Sequence, residues 1–144
     1  MNIFVRKNDN DLLKYLNTDE MTKVQPFQSI LEYNDDEIIF SINDKGRDIY
    51  LVIVGSLELW VQKNENEKIT IDTIYEGEFV GELNFAINLR RHMNLSTKGK
   101  TRLIKYPYSQ LSKLMKKEPQ IAAKIHAAIN DSMADKNIRI TQRL

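Results

Sequence analysis

The chain has no cysteine at all, only two histidines, five glycines and three prolines in 144 residues. Without cysteine there are no disulfides and no thiolate zinc sites, which fits a reducing compartment. The two histidines, His92 and His126, lie far apart in sequence and make no H-x-H pair, the usual core of a metal-dependent enzyme site of two or three histidines plus a carboxylate. No glycine-rich phosphate loop, no Ser/His/Asp set and no close pair of catalytic carboxylates stands out, so an enzyme is not expected. Excess charge of either sign is lacking too: 21 basic residues against 20 acidic ones leave a net +1. Neither DNA nor a membrane surface would attract the whole chain. The opening "MNIFVRKNDNDLLKYL" has no long apolar run, so neither signal peptide nor membrane anchor is read, and the expected location is cytoplasmic.

What is present falls into three zones of a single domain, residues 1–144. In residues 1–32 apolar residues recur at helical spacing: Leu12, Leu13, Tyr15, Leu16, then Met21, Val24, Phe27, Ile30 and Leu31. Asp9 or Asn10 is a candidate cap for a first helix and Thr18 for a second, with Pro26 interrupting the second or lying near its end. In residues 33–107 the period changes to two. "DEIIFSI" (36–42), "DIYLVIV" (48–54), "SLELWVQ" (56–62) and "KITIDTI" (68–74) read as strands. "MNLST" and "TRLIKY" read as two more, with Lys98-Gly99-Lys100 as the turn between them and Gly55 as the break between the second and third. Leu57, Leu59 and Val61, and Ile69, Ile71 and Ile74, would point inward. Residues 108–144 return to helix: an amphipathic "SQLSKLMKK", then Pro119 opening a long helix with a stripe of Ile121, Ile125, Ala128/Ile129, Met133 and Ile140. The order predicts an α+β domain, an antiparallel sandwich or small barrel flanked by N-terminal helices and a long C-terminal helix.

Between the strands lies "EGEFVGELNFAINLRRHMN", 76–94. Gly81 permits a tight bend or a close approach. "ELNFAIN" can make one helical turn whose free N–H groups favour an anion. Arg91 offers a planar fork for a phosphate or carboxylate, and Glu82 can accept from a hydroxyl. A ligand with both groups is a ribose phosphate. The residues alone also allow Glu82 and Arg91 to pair with each other across a loop, as surface ion pairs commonly do.

"VGELNF", three residues, then "LRRHMN" resembles the phosphate-binding cassette of the cyclic nucleotide-binding domain family, the type found in catabolite activator protein and the regulatory subunits of protein kinase A. That family's cassette runs "FGELAL", a few residues, then "PRAAT" or "RSA". "DEIIFSINDKGRDIYLVIVGSLELW" is similar to the strands that precede it in the family, and the likeness spans essentially the whole chain. The resemblance implies an antiparallel β-roll, jelly-roll-like (a double-stranded β-helix), with the cassette at 79–94. It implies a ligand, cAMP or cGMP, and no cofactor or metal. Gly81 would let the backbone approach, Glu82 would receive the ribose 2′-hydroxyl and Arg91 would pair with the phosphate. Backbone N–H groups around Leu83, Asn84 and His92 would complete the cradle, Leu59 and Ile71 would line the sheet beneath sugar and base, and Lys136 and Asn137 of the last helix would cap the base. Departures are Arg90 where the family has proline, and His92 and Met93 where it has small residues. They narrow the pocket mouth and bear on which base fits.

The resemblance also frames the output. DNA-binding relatives carry a helix-turn-helix after the long helix, on the order of 60 further residues; this sequence stops at Gln142-Arg143-Leu144, so direct DNA binding is not expected. The expectation is a stand-alone sensor acting in trans on an effector protein of unknown identity. The stripe of the last helix would pair with a second copy in a homodimer, or else fold back on its own sheet. A degenerate cassette, serving as a ligand-free scaffold or binding a cyclic dinucleotide instead, is the alternative.

Overall fold

The computed structural model describes residues 11–143, so the capping expected of Asp9 or Asn10 lies outside the described residues. The first apolar cluster is wound tighter than a helix. The N–H groups of Lys14 and Leu16 donate to the carbonyls of Asp11 and Leu13, three residues back, and this turn buries Leu12, Leu13 and Leu16 while leaving Tyr15 exposed. Helix α1 (Thr18–Val24) is capped by Asn17, not Thr18. Asn17 Oδ1 accepts from the Glu20 N–H at 2.9 Å and Glu20 Oε1 accepts from the Asn17 N–H at 3.0 Å. A capping box requires the glutamate three residues past the cap, and only Asn17 has one. Pro26 cannot donate to the carbonyl four residues back, and the chain leaves the helix through a single turn, Gln25–Phe27. Ile30 and Leu31, which extend the helical stripe in sequence, therefore lie in strand β1 (Ser29–Tyr33).

Among the described residues the sheet has six strands: β1, β2 (Ile38–Phe40), β3 (Ile49–Asn64), β4 (Glu67–Ile74), β5 (Phe79–Val80) and β6 (Asn94–Tyr106). All the pairings are antiparallel; β1, β6, β3 and β4 lie in that order, β2 also pairs with β6 and β5 with β3. With helices on its flanks this is the open β-roll expected. Two turns read from the sequence prove to be bulges. Gly55 does not separate two strands, and Lys98-Gly99-Lys100 does not either; β3 and β6 run through them, with the register shifting between Val52 and Ser56. Gly55 has φ +90°, and a Cβ there would lie 2.5 Å from the Lys100 carbonyl, so only glycine fits this crossing. The bulge changes the phase of β3. Tyr50 and Val52 face the roll interior before it, and Leu57 and Leu59 do after it.

Two cores result. Inside the roll pack Phe40, Tyr50, Val52, Leu57, Leu59, Ile74, Val80, Leu95 and Leu103. On its outer face Ile49, Leu51, Phe79, Ile104 and Tyr106 meet the helices. The span 49–52 is buried on both faces, which is why it reads as an unbroken apolar run. Helix α3 (Tyr108–Lys117) contributes Leu111 and Met115 to the outer core. Helix α4 (Pro119–Thr141), with Pro119 in its first turn, contributes Ile121, Ile125 and Ile129, while Ala128 is buried beside them and Met133 packs at the edge. These are the residues expected to join a second copy. They are instead covered by the chain's own sheet and helices, so a dimer through that stripe is not what this fold offers. Among the described residues no helix is long and apolar enough to cross a membrane.

Candidate functional site

Strand β5 carries the chain to Gly81, which adopts φ +97°. A Cβ here would lie 2.6 Å from the Asp48 carbonyl and 2.9 Å from Arg91 Nη1, so the bend at Gly81 needs glycine because the backbone of 48 lies against it. Helix α2 (Glu82–Ala86) follows as a single turn. Its first i to i−4 bond is Phe85 N–H to the Gly81 carbonyl at 3.2 Å, which places the N–H groups of Glu82, Leu83 and Asn84 ahead of the ladder. The other end of α2 is held by a residue the sequence did not mark. Arg47 stacks on the Tyr108 ring at 3.8 Å and donates to the carbonyls of Asn84 and Phe85 at 2.8 and 2.9 Å. The cassette's tail is sewn to the loop before β3: Asn43 N–H donates to the Arg91 carbonyl and Arg91 N–H to the Asp44 carbonyl, both at 2.8 Å.

Glu82 and Arg91 are both buried, at 6% and 2% exposure, and they do not pair with each other. Arg91 Nη2 donates to the Asp48 carbonyl at 3.0 Å; Nη1 donates to Asn84 Oδ1 at 3.2 Å and, weakly, to the Gly81 carbonyl at 3.4 Å. The guanidinium lies over the Phe40 ring at 4.0 Å. Its Nε is buried without a hydrogen-bond partner, and among the described residues no carboxylate forms an ion pair with Arg91. Burial accordingly pulls the guanidinium below the ordinary arginine range, while Tyr50 and Asp48 nearby act the other way. Burial is also the main cause that pushes the neighbouring Tyr50 phenol up to about 12.

Glu82 faces helix α4. Its Oε2 accepts from Lys136 Nζ at 2.6 Å and from Ser132 Oγ at 2.7 Å, and Lys136 also donates to the Phe79 carbonyl. Lys136 thus stands on the glutamate, and Asn137, the other residue expected at a base, is exposed. One turn further on, Arg139 donates through Nε and Nη2 to both oxygens of Asp72, at 3.0 and 2.8 Å, and through Nη1 to Glu78 at 2.8 Å. Burial lowers the Arg139 proton affinity, but the bonds to Asp72 and Glu78 outweigh it and hold the group above the ordinary arginine range. Arg143 adds bonds to the Ile71 carbonyl and to Asp72. Asp72 is fully buried. It holds the inward position expected of Ile71 because the pairing passes from Leu59↔Asp72 to Trp60↔Thr70, which leaves Ile71 as the extra residue of a bulge.

A cavity of about 60 Å³ remains between Phe40, Leu59, Val80, Gly81, Glu82, Leu83, Asn84, His92 and Met93. Eight of the eleven expected site residues therefore stand together: Gly81, Glu82, Leu83, Asn84, His92, Met93 and Leu59 around it, and Arg91 behind Phe40 and Gly81. Ile71 and Asn137 do not reach it, and Lys136 reaches it only through Glu82. His92 is exposed at the rim. The missed residues are Asp48, Phe40, Ser132 and the Asp72–Arg139–Arg143 cluster. The spacing of Lys136, Arg139 and Arg143 at i, i+3 and i+7 was the available sign of a basic stripe on one helix face.

This cassette on this roll defines a regulatory-type ligand module, and residues 30–118 match the family model "Cyclic nucleotide-binding domain". The chain belongs to that family. Among curated proteins it is 30% identical over 105 residues to "Lysophospholipase nte1" of Neosartorya fischeri, a match covering 73% of this chain and 7% of that protein. The chain therefore spans only a small part of the curated relatives it matches, and their activity is a property of the longer proteins. Among solved structures, a cyclic nucleotide-binding domain from Methylobacillus flagellatus superposes with TM-score 0.82 at 14% identity, covering 90% of this chain and 72% of that one. A cyclic nucleotide-binding protein from Geobacter metallireducens gives TM-score 0.77 at 11% identity, covering 87% and 90%. At such identities these two likenesses concern the fold.

Proposed function

We propose that the chain is a non-enzymatic sensor module that binds a cyclic mononucleotide, cAMP or cGMP, and passes the signal in trans through α4 to another protein. The observation that carries this reading is Arg91. A guanidinium buried to 2% exposure, with an orphaned Nε and only neutral acceptors, is costly to maintain and is suited to an anion. The cyclic phosphate is that anion, and Glu82 on the same cassette is the acceptor for a sugar hydroxyl. Membership of the family supports the ligand class; the choice of base lies with His92 and Met93 at the rim.

A second reading is a ligand-free scaffold, or a site for a different ligand such as a cyclic dinucleotide. One observation favours it: the cavity of about 60 Å³ is well below the roughly 300 Å³ from which small-molecule sites usually begin. Thermal unfolding with and without cAMP and cGMP, in the wild type and in Arg91→Ala, decides between them. At 100 times Kd a nucleotide stabilises by about 2.7 kcal/mol. The entropy of unfolding, roughly 2.1 cal/mol/K per residue, converts this into a rise in Tm of about 9 °C for a chain of 144 residues. The rise is expected in the wild type and absent in Arg91→Ala. No rise with either nucleotide removes the mononucleotide reading, and an equal rise in both proteins moves the site away from Arg91.

A further inference from the structure

We propose that the groove between α2, α3 and α4 is a second ligand site, for an amphiphilic anion: a carboxylate or phosphate head on a short apolar body. No residue of the groove lines the cassette cavity, so this site stands apart from the nucleotide reading.

Helical periodicity builds the walls. On α3, Tyr108, Ser112 and Lys116 recur every four residues and share one face, with Met115 beside them; on α4, Ala122 and His126 do the same. Phe85 and Ala86 at the end of α2 close the third side. The two alanines are why these faces do not seal. Each places a methyl group where a larger apolar side chain would fill the space. The opening left has a volume of about 320 Å³, against about 60 Å³ for the cassette cavity. Small-molecule sites usually begin at roughly 300 Å³. Its floor is apolar: Phe85 and Met115 are buried, and the Phe85 and Tyr108 rings meet edge to face at 5.2 Å.

Charge decides what this floor receives. The rim carries two cations, Arg47 and Lys116, and two further donors, His126 and Ser112, while among the described residues no carboxylate lines the groove. None of Arg47, Lys116 and His126 forms an ion pair among those residues. In a chain with 21 basic and 20 acidic residues, a rim of one sign is a local excess. Arg47 is its fixed member. Nε and Nη2 donate to the carbonyls of Asn84 and Phe85 at 2.8 and 2.9 Å, and the guanidinium stacks on Tyr108 at 3.8 Å. Nη1 is left without a hydrogen-bond partner among the described residues, on a group that cannot lose its charge. Lys116, exposed two turns along α3 from Tyr108, is the movable one. An anionic head at this rim gains charge-assisted hydrogen bonds and displaces no existing ion pair. The apolar body attached to it leaves water for Phe85, Met115 and Ala122. A neutral ligand gains only the second effect, and a cationic one is repelled.

Titration of octanoate and of octyl phosphate into the isotope-labelled whole chain, without nucleotide, tests this by nuclear magnetic resonance. Octanol supplies the apolar body alone and acetate the charge alone. Saturable shifts are expected at Ala86, Met115, Ala122 and His126 with octanoate or octyl phosphate, and the tighter of the two identifies the head. Octanol and acetate should each bind about tenfold more weakly or worse, since each lacks one of the two contributions. Lys116→Met replaces an exposed residue that has no ion-pair partner among the described residues, so the fold should be kept while binding weakens about tenfold. Ala122→Leu should fill the groove and abolish the shifts. Lys116→Met gives the deciding comparison if that larger side chain disturbs the packing of α4. Four results overturn the proposal: no saturable shift with either amphiphile, octanol binding as tightly as octanoate, unchanged affinity in Lys116→Met, or shifts centred on His92 and Met93, which would place the anion in the cassette. None of them bears on whether a nucleotide raises Tm, so each site can fail without the other.

Discussion

Consider the effect of removing Arg139 as against removing Asp72. The carboxylate has no solvent exposure and accepts from Arg139 Nε and Nη2 at 3.0 and 2.8 Å and from Arg143 at 3.2 Å. Arg139 keeps about a quarter of its side chain in solvent, 27%, and has a second carboxylate in Glu78. The two halves of the pair are therefore unequal. Arg139→Met leaves the buried carboxylate with Arg143 as its one remaining cation, at 3.2 Å, so the loss should approach the about 3–5 kcal/mol of a buried charge left unpaired. Asp72→Ala leaves a cation that can rehydrate and still binds Glu78. Its loss is a few hydrogen bonds and a small void, about 1–2 kcal/mol. In the double variant no buried charge is stranded, so it should lie within about 1 kcal/mol of Asp72→Ala and far above the sum of the single losses. The coupling is then about 2–5 kcal/mol, at or above the upper end of what contacting residues show. Urea unfolding of all four proteins measures it, provided the m-value is constant across the set. Equal losses from the two single variants, or strict additivity, would refute the buried-charge argument. A loss below about 1 kcal/mol for Arg139→Met would mean that Asp72 regains water within the folded chain.

Gly81→Ala should lower stability by about 2 kcal/mol or more, because φ +97° costs a side-chain-bearing residue about 1–2 kcal/mol and the new Cβ meets the Asp48 carbonyl at 2.6 Å. The same urea assay reports it, and Ala at this position leaving stability unchanged would show that the bend relaxes freely. Acid should weaken the attachment of α1. Glu20 sits below the ordinary carboxylate range, chiefly because Lys124 donates to it and next because the Asn17 N–H does. A lowered folded-state value means that the contribution is complete above the unfolded value, about 4.3, and is lost as pH falls through the lower folded one. Unfolding midpoints between pH 6 and 3 should therefore fall more steeply in the wild type than in Glu20→Gln; parallel curves would assign the acid sensitivity elsewhere.

Local pattern carried much of this protein. The change of period from 3.6 to 2 and back marks the helical ends and the roll, and the likeness of "VGELNF" and Arg91 to the family's cassette marks that segment, since contiguous residues can carry such a likeness. Boundaries failed where two signals look alike in one dimension. A glycine that ends a strand and a glycine that bulges it are the same letter, and Gly55 and Gly99 are bulges only because β3 and β6 lie against each other. The extra residue at Ile71 likewise exists only relative to Leu59 and Trp60 across the ladder, and it sends Asp72 inward where alternation pointed to Ile71. The apolar stripe of α4 was legible, but its partner was not, since a helix face fits its own sheet or a second copy with the same residues. Tertiary structure chose the sheet. It also made the choice that matters most for the site: Lys136 is far from Glu82 in sequence, and only the docking of α4 on the roll brings an ammonium to 2.6 Å from the carboxylate. The sequence by itself determined which residues carry charge into the cassette. What those charges meet, a carbonyl, a helix lysine or a nucleotide, is decided by long-range packing, because a buried charge must find a partner from whichever element the fold sets beside it.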